Sequence, residues 1–379
     1  MRKMLGIDTF SAAINRLVTD YEAGHRLVCS FSAGKDSGAC LELMIIAAEI
    51  TGRLPVDVII RDEEIMFPGT YEYALRMAAR PEVNMHWIYA RQPIINVFNR
   101  RSPYFWVFDP DLDPEDWVRQ PPDIAYEIKE KNINAMVTPE RFPPAEGKEL
   151  HSIIGLRIVE SFARRQGLHS SGGHLTKPQK PNNVRLSRPI YDWTDGDIWK
   201  AVRDNGWDYN KAYDVMVRHG IKAASLRIGP PTMNIHAVPN LAMARTAWPK
   251  WFDKVEERLP GIKTVAQFGK RAVSAKRRLG ESWEETFHRE CIEIAPDWIA
   301  ERSRIVIEKM LKAHSKHSSA PFPDAKMCHV CTASNGSYKN LTKIMYLGDP
   351  FAVAMSMLKT LEPEFFKAGT GLWGGKPTW

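Results

Sequence analysis

Eight residues constrain this chain more than any others: Ser30-Phe31-Ser32-Ala33-Gly34-Lys35-Asp36-Ser37. They continue from the run His25 to Phe31, which reads as a strand with Val28 and Phe31 as apolar members. They precede Gly38 to Ile50, where Leu41, Ile45 and Ala48 share one face at helical spacing. A strand that turns through glycine straight into a helix opens a parallel α/β unit, because the next parallel strand is reached only by a crossover.

The alternation continues. Val56 to Ile60, rich in β-branched residues as a buried parallel strand should be, runs into Arg61-Asp62-Glu63-Glu64. A helix is expected over Thr70 to Ala79, a third strand over Met85 to Tyr89, and a fourth over Ser152 to Leu156, ending at Arg157. Phe10 to Glu22 reads as an opening helix. Asp195 to Asn205 reads as a later one, with Thr194 or Asp195 as its N-cap. The expected fold is α/β: a parallel-sheet, Rossmann-like domain over residues 1–240, then a mainly helical, basic region over 241–379. An insertion at about 98–148 carries Tyr104-Phe105-Trp106 and Trp117 with many prolines and acids. At that length it is expected to hold local helices or form a lid.

In open parallel sheets ligands bind beyond the carboxyl ends of the strands. The loop at 30–37 has the chemistry for an anion there. Small residues at 32–34 let backbone amides approach a phosphate, and the helix start aims further N–H groups at it. Lys35 neutralises phosphate charge, while Ser30, Ser32 and Ser37 offer hydroxyls. Asp36 is placed either to cap the helix or to help hold Mg²⁺. Asp62, at a strand end, is placed for Mg²⁺ or a ribose hydroxyl, with a solvated turn as the alternative. Gly155 permits close backbone approach to a ligand, and Arg157 and Arg164 supply planar forks for phosphate or sulfate oxygens. The spacing is not that of a Walker A loop.

Ser32, Gly34, Lys35, Asp36 and Ser37 match the S-G-G-K-D-S loop of the PP-loop ATP pyrophosphatases, with Ala33 in place of a glycine. Three further segments resemble the phosphoadenosine phosphosulfate (PAPS) reductase branch of that group. They are Phe67-Pro68-Gly69-Thr70-Tyr71, Ile154-Gly155-Leu156-Arg157 with Glu160-Ser161 and Arg164, and Pro189-Ile190-Tyr191-Asp192-Trp193-Thr194 with Asp197-Ile198-Trp199. The resemblance implies binding of ATP with Mg²⁺ and cleavage to AMP and pyrophosphate. It casts Lys35, Asp36 and Arg157 as catalytic. The E-C-G-[LI]-H segment of the reductases is not matched, since Glu290-Cys291 is followed by Ile292-Glu293. The resemblance therefore favours an adenylating enzyme of sulfur transfer or nucleic-acid modification. A non-catalytic nucleotide-binding regulator and a sulfonucleotide reductase are the alternatives.

Five cysteines at irregular spacing do not make a disulfide framework. Cys328 and Cys331 form a C-x2-C pair, and His314 and His317 upstream would complete four Zn²⁺ ligands. Cys291 and His288 are other possible partners, and an iron–sulfur site or unliganded thiols remain alternatives. The formal net charge of +7 favours anionic partners. Lys263, Lys270, Arg271, Lys276, Arg277 and Arg278 crowd into sixteen residues and are expected to form a broad helical face for DNA or RNA phosphates, with a solvated helix or a docking site for a partner protein as the alternatives. No apolar run reaches a membrane span and no signal peptide is evident, so a cytoplasmic location is expected. Oligomeric state is left open.

Overall fold

The structure is a computed structural model. It describes residues 6–91, 93–102, 104–129, 136–171, 173–179, 183–223, 226–229, 238–326, 328, 336–349 and 353–354. The chain divides into two compact units: Met1–Gln92, Trp106–Pro230 and Ala247–Trp251 form one, and Pro93–Phe105, Pro231–Thr246 and Phe252–Trp379 the other. The division is interleaved, with 93–105 leaving the first unit and rejoining it near residue 106.

The strands are β1 (Arg26–Ser30), β2 (Val56–Asp62), β3 (Val83–Tyr89), β4 (Pro93–Ile95), β5 (Tyr104–Trp106), β6 (Tyr126–Glu127), β7 (Leu150–Ile153) and β8 (Arg185–Ser187). Six of them make one sheet in the order β6-β3-β2-β1-β7-β8, and every pairing in it is parallel. The chain therefore walks outward from β1 through β2 to β3, then returns to place β7 on the other side of β1. The order reverses between β1 and β7, and that is where an open α/β sheet leaves a crevice.

Helices α1 (Thr9–Glu22), α2 (Lys35–Thr51), α3 (Pro68–Ala78), α4 (Phe162–Ser171), α5 (Asp195–Asn205) and α6 (Ala212–Arg218) belong to this unit. Their ends follow local chemistry. Asp8 caps α1 by accepting from the Ser11 amide at 2.9 Å. Gly52, at φ 66°, closes α2 in the left-handed conformation. Thr194, one of the two N-caps the sequence offered, starts α5 and forms a capping box with Asp197. Helix α2 is buried nearly all round: Cys40, Leu41, Leu43, Met44, Ala47 and Ala48 are fully enclosed. They pack with Leu27, Cys29, Val58, Ile60, Trp87 and Trp193 in the main core. A helix apolar on every side belongs inside a domain, and this one anchors the loop before it.

The fourth strand ends earlier than its sequence suggests. β7 stops at Ile153, and residues 154–157 form a loop. The described part of the 98–148 insertion is mainly irregular, with β5, one 3₁₀ turn at Pro114–Asp116 and β6. Glu64 fixes part of it. This buried side chain accepts the Phe108 amide at 2.6 Å and the Val118 amide at 2.9 Å. Its own backbone takes φ 63°, and its amide donates to Asp62 Oδ1 at 2.8 Å.

The second unit is helical among the described residues, with α7 (Val238–Ala247) and α8 (Pro249–Arg258), apart from Ala247 and Pro249–Trp251, then α9 (Ile262–Phe268), α10 (Trp283–His288), α11 (Asp297–Ser315) and α12 (Tyr338–Met345). Phe287, Cys291, Val306, Met310, Leu341 and Met345 form a core there. The basic stretch does not make one helical face. Gly269, at φ 63°, ends α9, a 3₁₀ turn follows to Val273, and the chain then runs irregularly to Ser282. No helix among the described residues is long and apolar enough to cross a membrane.

Candidate functional site

The loop after β1 reaches α2 within four residues, and hydrogen bonds hold it shut on itself. The Ser32 amide donates to Ser37 Oγ at 3.2 Å, Ser37 Oγ donates to the Gly34 carbonyl at 3.1 Å, and the Ser32 and Ser37 hydroxyls meet at 3.1 Å. Ser30 Oγ lies 2.8 Å from Ser152 Oγ, tying β1 to β7. Ala33 takes φ 54° in this turn and is fully buried. The left-handed conformation costs an alanine roughly 1 kcal/mol that a glycine would not lose. The turn is kept nonetheless, because contacts from far along the chain define it.

Those contacts come from the segment before α6. Asn210 Nδ2 donates to the Ala33 carbonyl at 2.8 Å and to Thr70 Oγ1 at 3.0 Å, while Asn210 Oδ1 accepts from the Ala212 amide at 2.9 Å. Tyr213 OH accepts from the Lys35 amide at 3.0 Å. Sequence reasoning assigned neither Asn210 nor Tyr213 a role. Only the run Asp208-Tyr209-Asn210-Lys211-Ala212-Tyr213, polar and aromatic before a short helix, marks the segment.

Three sequence expectations are corrected here. Gly34, not Asp36, occupies the N-cap of α2. Gly155 makes room for the loop rather than for a ligand: a Cβ there would sit 2.7 Å from the Asp36 carbonyl carbon and 2.9 Å from the Ser37 amide nitrogen. Asp62 is neither a ligand nor a solvated turn. It is 1% exposed, accepts from Trp87 Nε1 at 2.8 Å, and pairs with Arg119. One of the helix amides expected to face an anion, that of Lys35, is also already satisfied by Tyr213.

The charged groups gather at the start of α2. Lys35 Nζ lies 3.1 Å from Asp36 Oδ2 and 3.4 Å from Asp195 Oδ1. Arg157, almost wholly buried, places Nε 2.6 Å from Asp36 Oδ1 and Nη2 2.8 Å from Asp195 Oδ1. Two cations thus share two carboxylates. Burial works against ionisation of Asp195, but Arg157 and Lys35 outweigh it and hold its carboxyl below the usual range. Arg164 is exposed and pairs with Glu160. Burial and then the charge of Arg227 push its guanidinium below the ordinary value. Beside the loop lies a cavity of about 350 Å³ lined by Ser30, Phe31 and Ser32, by Arg61, Glu63, Met66, Phe67 and Thr70, and by Met136, Ile228 and Gly229. That volume lies in the range of small-molecule sites.

The cysteines divide. Cys291 is fully buried in a π-helical turn with Sγ 3.8 Å from the Thr342 carbonyl, and burial pushes its thiol up to about 12. Such a thiol is not a nucleophile at neutral pH. Cys331 lies outside the described residues, as does the side chain of Lys270. His314 is buried with Nε2 donating to the Ala320 carbonyl at 2.9 Å, while its Nδ1 meets no hydrogen-bond partner among the described residues. A carbonyl that takes the proton of one ring nitrogen leaves the other able to accept, as a metal-ligating histidine requires. His317 is exposed. If Cys328, Cys331 and these histidines hold zinc, metal analysis of protein purified without chelator should return about one zinc per chain. Metal-free protein with both thiols freely titratable would end that proposal.

One other group, His25, Glu149 and His151, gathers ligand atoms where β1 and β7 begin, away from the loop. Its hydrogen bonds speak against a metal. His25 Nδ1 accepts the Glu149 amide at 3.1 Å, which leaves the proton on Nε2. His151 lies 3.2 Å from both Asp20 and Glu149, which raise its pKa against the effect of burial.

No protein-family model matches the chain. A curated relative, "Uncharacterized protein YbdN" of Escherichia coli (strain K12), is 26% identical over 247 residues, which cover 60% of this chain and 59% of the relative. Similar solved structures include an FMN adenylyltransferase from Candida glabrata (12% identity, TM-score 0.34), with 54% of this chain and 57% of that one aligned. A PAPS reductase from Candida auris matches over 54% of this chain and 84% of that one (13%, TM-score 0.30). Yeast FAD synthetase matches over 56% and 65% (14%, TM-score 0.33). This chain therefore spans less than two thirds of the length of the curated relative and of two of these three structures, and its α/β fold is read from the strand order itself.

Proposed function

We propose that this chain is a PP-loop enzyme that binds ATP at residues 32–37, cleaves it between the α and β phosphates, and adenylates an acceptor in sulfur transfer or nucleic-acid modification. The observation that carries the reading is the convergence of Lys35 and Arg157 on one carboxylate pair at the start of α2, beside the cavity. Phosphoryl chemistry of this kind needs fixed positive charge where negative charge develops, more than it needs a nucleophile from the protein. Lys35 and Arg157 would exchange Asp36 and Asp195 for phosphate oxygens, and the Ser32 and Ser37 hydroxyls would orient them. Asp36 and Asp195 would hold Mg²⁺, which would neutralise phosphate charge.

Lys35→Ala should weaken ATP binding about 10- to 100-fold, the size of a hydrogen bond to a charged group. Titration calorimetry measures the first quantity, and product analysis should find AMP and pyrophosphate from the wild type. Unchanged affinity and turnover in the variant, or stoichiometric ADP and phosphate, would defeat the reading.

A second proposal concerns partners. Lys276, Arg277 and Arg278 are exposed, and Arg277 and Lys339 both lie over the Trp283 ring, at 5.6 and 5.8 Å. Cations clustered over this half-buried ring suit the phosphates of nucleic acid. Reversing Arg277 and Arg278 to glutamate should weaken binding to duplex DNA and structured RNA and flatten its salt dependence. Identical salt series for both proteins would leave the segment as a solvated surface or a site for a partner protein.

A further inference from the structure

Glu63 borders the nucleotide cavity but takes no part in the loop. It stands one residue past the end of β2, the strand paired with β1. It lines the cavity, yet its side chain is only 4% exposed. Arg61, which lines the same cavity, pairs with it. Neither carboxylate oxygen accepts a hydrogen bond of good geometry among the described residues. A buried ion pair is well compensated only when its remaining lone pairs also find donors. Each acceptor left without one is costly to bury. A ligand that brings O–H groups to this wall would remove that cost.

The chemistry of the ligand follows from what the loop leaves over. Once the phosphates lie at residues 32–37, base and sugar remain for the cavity. Its other walls include the apolar side chains of Met66, Phe67 and Ile228, which suit a base. A ribose offers two neighbouring hydroxyls, a spacing that matches the two oxygens of a carboxylate. An acid at the end of the second strand reads the ribose in dinucleotide-binding sheets for the same reason.

We propose that Glu63 accepts the vicinal ribose hydroxyls of the nucleotide and so selects nucleotides with an unphosphorylated ribose against 3′-phosphorylated ones. The proposal rests on the ATP reading above and sharpens it. A 3′-phosphate would bring its charge against a carboxylate sheltered from water, where repulsion is screened poorly. Arg61 supplies the opposite pull. Glu63 is one partner of its guanidinium, and a neutral residue at 63 would take an offsetting negative charge away from the cavity wall. The residue that favours ATP is thus also the one whose loss would admit the PAPS class.

The test is titration calorimetry on the full chain with ATP, 2′,3′-dideoxy-ATP, AMP and adenosine 3′,5′-bisphosphate. Wild type should bind ATP roughly tenfold or more tighter than the dideoxy analogue, the size of hydrogen bonds to a charged group. It should also prefer AMP to the bisphosphate. In Glu63→Gln the gap between ATP and the dideoxy analogue should shrink to roughly twofold, and the bisphosphate should bind at least as well as AMP. Equal binding of ATP and dideoxy-ATP by the wild type overturns the proposal without reference to any variant. If that equality appears while Lys35→Ala still weakens ATP, the function stands and only the role of Glu63 falls. If the wild type binds no ATP, both fall.

Discussion

Replacing Arg157 by alanine is expected to destabilise the first unit by about 3 kcal/mol and to remove most of its affinity for ATP. The guanidinium is 2% exposed and reaches two acids from different elements, Asp36 on α2 and Asp195 at the start of α5. Its removal leaves Asp36, only partly exposed, with Lys35 as its remaining cation in this cluster, and Lys35 must then also serve Asp195. Asp195 is about half exposed, so water recovers part of its loss and the estimate sits at the low end for a broken buried pair. Arg157→Lys should rescue little, because an ammonium cannot span both acids as the planar fork does. Urea unfolding and ATP titration on the two variants measure the effect. An unchanged midpoint with unchanged affinity would mean that the pairing contributes nothing.

Glu64→Ala should cost about 2–5 kcal/mol, because two buried amides, those of Phe108 and Val118, lose their acceptor together. The effect should also be local. Amide exchange at Phe108 and Val118 should accelerate far more than exchange in β1 or β2. Glu64→Gln should fall between, since the amide keeps one oxygen but turns an N–H toward a donor. Exchange at both amides equal to that of the wild type would show that the insertion is held by other contacts.

The sequence carried the local half of this architecture. Strand, turn and helix at residues 26–51 were legible because they depend on neighbours: an apolar run, small residues, then helical spacing. The helix start at Thr194 was legible on the same ground, though Asp195 was as good a candidate for its cap. The positions that lock the site were not. Asn210 and Tyr213 reach Ala33 and Lys35 from 177 and 178 residues away, and periodicity holds no record of such pairings. Asp62 shows the same limit from the other side. A strand-end acid looks alike whether it meets a ligand or, as here, Trp87 and Arg119. Gly155 was read as a contact with ligand because its actual neighbour, the backbone of Asp36 and Ser37, is brought there only by the reversal of strand order. The route of 93–105 into the second unit likewise leaves no mark in composition.

The pairing of Lys35 and Arg157 with Asp36 and Asp195 makes the loop its own counter-ion. On the proposed ATP reading, an arriving anion would trade places with a carboxylate, so binding would be an exchange rather than a capture. A lone sulfate or phosphate gains little from such a trade, because each contact it forms is one the protein gives up. A triphosphate brings several charges to one exchange, and a divalent cation travelling with it can take over the evicted acids. Such a site would favour a nucleotide over small anions without any moving part.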